Sequence, residues 1–150
     1  MLDEFIGMNE LRFVIGLILS LFAGILMGAE RESKGKDAGI GTHTLVIVGS
    51  MLFTFISSIA DPQSTSRIAA QIVTGIGFLG AGLIIREGLA VRNLTTAASI
   101  WFAGAIGMAF GFGHYFIGII ATVTSLYIAI ITSFFKKRMH NAPNKILQDK

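Results

Sequence analysis

Five long apolar runs decide what this chain can become. They lie at about 11–29, 44–60, 68–85, 97–112 and 115–135. A helix crossing the hydrocarbon core of a bilayer needs roughly 17–25 mostly apolar residues, and each run is at or near that length. Backbone polar groups in lipid must be satisfied within the segment, so the runs are expected as helices. The alternation of a membrane barrel is absent. Only 14% of the 150 residues are charged, against about 25% in a soluble domain, too few to coat a water-soluble globule. The expected fold class is therefore all-α: a polytopic membrane protein whose residues 1–135 form a compact bundle of five transmembrane helices. A short basic cytoplasmic tail, 136–150, follows. Asp3, Glu4 and Glu10 stand where a signal peptide would carry positive charge, so the first run is expected as a retained membrane helix.

The charges orient the bundle. Arg31, Lys34, Lys36, Arg86, Arg92, Lys136, Lys137, Arg138, Lys145 and Lys150 fall on one side of a five-span chain, and only Arg12 and Arg67 on the other. The excess of Lys and Arg marks the cytoplasm, which puts the N-terminus outside and the C-terminus inside. The tail is then expected against anionic lipid heads, not nucleic acid. His114, Tyr115 and Phe116 are expected at the outer interface, after a tight turn over 111–114.

Four runs carry a row of small residues four apart: Gly16, Ser20, Gly24, Gly28; Ser50, Thr54, Ser58; Ser99, Ala103, Gly107, Gly111; and Ala121, Ser125, Ala129, Ser133. Such a row lies along one helix face and lets membrane helices approach closely. The third run differs. Gly75, Gly77, Gly80 and Gly82 fall on several faces, which fits two arrangements: a crowded helix with neighbours all round, or a helix that breaks and exposes backbone to a solute. Under the first, Gly77 and Gly80 are points of close approach, and leucine at either disrupts assembly. Gly75, Gly77 and Gly80 also fit G-x-G-x-x-G, but that fingerprint needs a preceding strand and an acid about 20 residues on. Position 95 is a threonine and the flanks are apolar, so no nucleotide cofactor is expected.

No Asp, Glu, Lys, Arg or His falls in the middle of a run, and Gln71 is the one amide inside any. Proton relays and cation pathways place ionisable groups there, and Mg²⁺ sites use carboxylates, so no metal cage is expected. Polar chemistry gathers instead at the cytoplasmic ends: Glu30, Arg31, Thr42, His43, Arg92, Thr95 and Thr96. Thr42 and Thr95 are expected as helix N-caps, and Glu30 and Arg31 as interfacial anchors or as partners of Arg92 and Glu87. His43 has no second ligand at helical spacing, so it makes no metal site. There is no cysteine, no H-E-x-x-H and no pairing of nucleophile with base, so no catalytic residue is assigned and an enzyme is not expected.

In order along the chain stand Gly28-Ala29-Glu30-Arg31-Glu32, Gly41-Thr42-His43-Thr44-Leu45-Val46, Gly75-Ile76-Gly77-Phe78-Leu79-Gly80-Ala81-Gly82 and Val91-Arg92-Asn93-Leu94-Thr95-Thr96-Ala97-Ala98-Ser99-Ile100-Trp101. Together they resemble the MgtC/SapB family of bacterial inner-membrane proteins, over about residues 12–132. The resemblance implies a five-helix membrane domain and a regulatory part in adaptation to low Mg²⁺, acid or host-cell stress, through self-association or contact with another membrane protein. The alternative it leaves is a small homo-oligomeric ion or solute transporter working through a broken third helix. Where the family commonly has Arg before Thr-His, this chain has Gly41; where it has Gly before Leu-Thr-Thr, this chain has Asn93. The expected likeness is to the short SapB-type branch, without the cytoplasmic C-terminal domain of MgtC-like members. Restraint of the F-type ATP synthase, implied for those members, is not carried over.

Overall fold

The computed structural model describes residues 2–60 and 62–140. Lys145, Lys150 and the rest of the tail from 141 lie outside the described residues. Five helices carry the fold: α1 (Leu2–Ser33), α2 (Ile40–Ala60), α3 (Ser66–Leu83), α4 (Leu94–Gly111) and α5 (Tyr115–His140). The protein is an all-α membrane bundle. α1, α2, α4 and α5 are each long and apolar enough to cross a bilayer. Its outer surface is apolar, with Ile18, Phe22, Phe116, Val123 and Ile130 all exposed.

The apolar stretch of α3 is shorter, Ala69–Leu83. The third run was expected to reach residue 85, but Ile84 is already extended (φ −79°, ψ 117°). α3 nevertheless shares a core cluster with α4: Ala69, Ile72 and Ile76 pack with Ile100, flanked by Met108 and Phe112. It therefore travels through much the same depth as α4. The glycine tract does not break it. The helix is continuous from Ser66 to Leu83, so of the two arrangements open to the glycine tract the broken helix is not the one adopted: an apolar setting leaves the backbone no better acceptor than its own i−4 carbonyl.

Between α3 and α4 stands a small antiparallel ribbon. β1 (Ile85–Glu87) pairs with β2 (Ala90–Arg92), Glu87 opposite Ala90. Gly88, at φ +62°, opens the two-residue turn, a position that suits glycine. The first helix begins before residue 11, running through Gly7, and the fifth continues past 135; neither flank carries a proline.

The small-residue rows place the core. α2 and α4 run parallel through the middle, with α1 antiparallel on α2 and α5 antiparallel on α4. Met27, Ile47, Met51, Ala103, Ile106 and Phe110 make the main cluster. Ser20, Thr54 and Ala103 are wholly buried, and a side chain at Gly24 or Gly28 would strike the α2 backbone at Thr44 or Ile40. The expected turn after α4 is present: Gly113 is left-handed at φ +80°. There Arg12 Nη2 donates to the Phe112 carbonyl at 3.3 Å, and the Tyr115 hydroxyl to the Arg12 carbonyl at 2.9 Å.

Candidate functional site

At the hairpin end of the bundle the last turn of α1 meets the first turns of α2 and α4. Arg31 Nη2 donates to the Thr95 carbonyl at 2.9 Å. Glu32 Oε1 accepts the Ile40 backbone N–H at 2.9 Å, so a carboxylate from α1 satisfies a free donor at the start of α2, where negative charge also suits the helix dipole. Glu30 is held in an ion pair by Lys34, one helical turn on. The Lys34 ammonium also donates to the Ala129 carbonyl of α5 at 2.7 Å.

His43 is wholly buried. Its Nδ1 lies 3.0 Å from the Gly39 carbonyl and its Nε2 3.2 Å from Ser99 Oγ. A carbonyl only accepts, so Nδ1 carries the proton. The ring thereby bridges α2 to α4. The one Ser99 hydroxyl proton then has two acceptors, His43 Nε2 and the Thr96 carbonyl 2.7 Å away, and Thr96 itself is buried.

Of the residues singled out in the sequence, Glu30, Arg31, His43, Thr95 and Thr96 thus share one polar layer. Thr95 enters it by its carbonyl alone. Thr42 does not join; it is exposed on the outer side of α2. Neither Thr42 nor Thr95 is an N-cap, because both lie inside helices that begin at Ile40 and Leu94. The cap of α4 is Asn93, left-handed at φ 64°. Asparagine tolerates that region better than any other residue except glycine, which accounts for Asn93 where the family commonly has Gly. Its amide donates to Asp37 Oδ2, tying the ribbon to the α1–α2 loop. Asn93→Val is expected to cost about 1–2 kcal/mol, the price of a left-handed branched residue, with Asn93→Gly close to neutral; urea or thermal melts in detergent check it.

Arg92 stays apart from the layer. It faces Glu87 across the ribbon at 3.5 Å, both side chains more than 60% exposed, an ion pair worth little in water. The expected pairing of Glu30 and Arg31 with Arg92 and Glu87 is therefore corrected: the ribbon carries its own pair outward. Lys34 and Ser99 belong to the layer and were not picked out as site residues. Lys34 had a signal in its spacing of four from Glu30; Ser99 was visible only as a member of a packing row.

The glycines of α3 need a second correction. A Cβ at Gly75, Gly77 or Gly82 would meet nothing within 4 Å, and one at Gly80 only ordinary contact with Ala97, 3.5 Å from its carbonyl oxygen. Only Gly80 packs. Among its described side chains α3 buries a single strip, Ala69, Ile72, Ile76 and Gly80, and leaves most of the others exposed. Gln71 is exposed and lines a groove of about 500 Å³ between α2 and α3, floored by Gly49 and Gly75. Among the described residues no three His, Asp or Glu side chains converge as metal ligands would.

A family model described as the MgtC family matches residues 17–138. Protein MgtC of Salmonella typhimurium is 40% identical over 131 residues, covering 87% of this chain and 57% of that protein. The putative magnesium transporter YhiD of Escherichia coli K12 is 46% identical over 125 residues, 77% of this chain and 58% of its own length. Protein MgtC of Brucella abortus is 48% identical over 101 residues, 67% of this chain and 42% of that protein. The chain thus spans less than two thirds of the length of each of these relatives, from 42% to 58%. No solved structure matches.

Proposed function

The chain belongs to the MgtC family, and we propose that it is a non-enzymatic regulator of bacterial adaptation to low Mg²⁺, acid or host-cell stress, acting by lateral contact with another protein of the inner membrane. One observation carries the reading. Ala70, Thr74, Gly77 and Ala81 form an exposed small-residue face on α3, beside the groove that holds Gln71. The exposed faces of α1 and α5 carry Ile, Phe and Val instead. Lipid gains nothing from small residues, whereas a neighbouring helix does, because its backbone can come close.

The test is a photo-crosslinking residue at Gly77, with the chain at native expression and a matched probe at Val123 on α5. A reproducible membrane-protein adduct at 77 and none at 123 supports the reading. Adducts only between copies of the chain, or none, overturn it. Transport of Mg²⁺ or another solute is the second reading, favoured by the likeness to the putative magnesium transporter YhiD; it loses the glycine-broken helix as a route. Flux through folded protein in liposomes would replace the first reading with the second.

The hairpin end is proposed to face the cytoplasm, since it gathers the Lys and Arg excess. A Lys36→Cys variant is expected to react with an impermeant maleimide only after the membrane is opened, and His114→Cys in intact cells from outside. The reverse pattern inverts the topology.

A further inference from the structure

Between α1, α4 and α5 lies a cleft of about 280 Å³. Its deep walls are apolar, Met27, Phe102 and Leu126, and its charge is confined to the hairpin end, at Glu30 and Arg31. Lys34 neutralises Glu30, so Arg31 leaves the mouth with one positive charge in excess. Arg31 spends Nη2 on the Thr95 carbonyl. Its Nε is buried and has no acceptor. An N–H in that state is costly to leave unmade, and the guanidinium fork suits two oxygens of a phosphate.

The cleft selects its occupant by charge and opening. A cation is repelled by the net positive mouth. Ala98 and Ile128, at the rim, are exposed on the outer surface of spanning helices, so the cleft opens sideways toward acyl chains, with its charge at headgroup depth. Basic pockets between spanning helices hold anionic headgroups by the same arrangement. We propose that this cleft binds one anionic phospholipid, with the phosphate on Arg31 and an acyl chain along Met27, Phe102 and Leu126. The proposal needs the bilayer placement and is independent of the contact surface on α3.

The test uses the full chain purified in mild detergent, with native mass spectrometry and thermal melts after adding phosphatidylglycerol, phosphatidylcholine of the same chains, or chain-free glycerol phosphate. Wild type is expected to retain one phosphatidylglycerol, at least about tenfold more tightly than phosphatidylcholine, a ratio in the range of one charged hydrogen bond. Glycerol phosphate is expected not to stabilise it. Arg31→Gln is expected to remove the preference. Because Arg31 also holds α4, Ala98→Leu provides a second arm: it fills the cleft from an exposed position, keeps the lipid-free melt and loses the bound lipid. Equal retention of both lipids overturns the proposal, as does stabilisation by glycerol phosphate alone. Undiminished retention in Ala98→Leu overturns it too, whether or not Arg31→Gln folds.

Discussion

Gly107→Ala is expected to unfold or nearly unfold the bundle, while the same substitution at Gly77 raises its stability. At Gly107 a Cβ would sit inside the Ile47 carbonyl oxygen of α2 and 2.7 Å from the Ser50 Cβ. The obstacle is backbone, so no rotamer change relieves it, and α2 and α4 must separate. Both line the main core cluster through Ile47, Met51, Ala103 and Ile106, so separation opens packing on both sides. Overpacking typically costs 1–3 kcal/mol and sometimes more, and a rigid backbone obstacle places this case at about 3 kcal/mol or above, much of the stability of a marginal domain. At Gly77 nothing lies within 4 Å. There the methyl group only adds helix propensity, up to about 1 kcal/mol. Thermal melts of both variants in one detergent, followed by helical signal, decide the matter. Equal melting temperatures would show that the α2–α4 seam is looser than described.

That contrast marks what the sequence could and could not disclose. The rows in α1, α2 and α4 were legible because a spacing of four projects onto one face whatever the neighbour. They became the seams where Gly24, Gly28, Gly107 and Gly111 meet backbone. The densest glycine tract pointed the other way: composition says that a helix can be approached closely, not that anything in the same chain does so. The polar layer was legible in outline, since charges in a membrane protein retreat to helix ends and ends on one side must meet. Its wiring was not. Thr42 and Thr95 were expected as caps, but the helices start earlier, at a glycine and at an asparagine in left-handed conformation. Glu30 found Lys34, just past the end of its own helix, before it could reach Arg92. The ribbon escaped because three-residue strands carry no periodicity to read.

Gly77→Leu with Ala81→Leu is expected to leave the fold and membrane level of the protein intact and abolish its biological effect. Both positions are exposed on one face of α3, four residues apart, so two leucines convert a surface that admits a helix into one that suits lipid. Stability has no reason to fall, since the buried strip of α3 is untouched. Function has every reason to fall if a partner helix lies there: two side chains of added bulk push its backbone out of reach. The measurement is growth of a strain lacking this protein in low-Mg²⁺ medium, complemented by the double variant and by a control, Ile120→Leu, on the exposed face of α5. The control should restore growth fully and the double variant not at all, at equal protein levels and melting temperatures. Full restoration by the double variant would sink lateral contact through α3. It would also move attention to the Arg31 end of the molecule, where a buried guanidinium N–H has no acceptor.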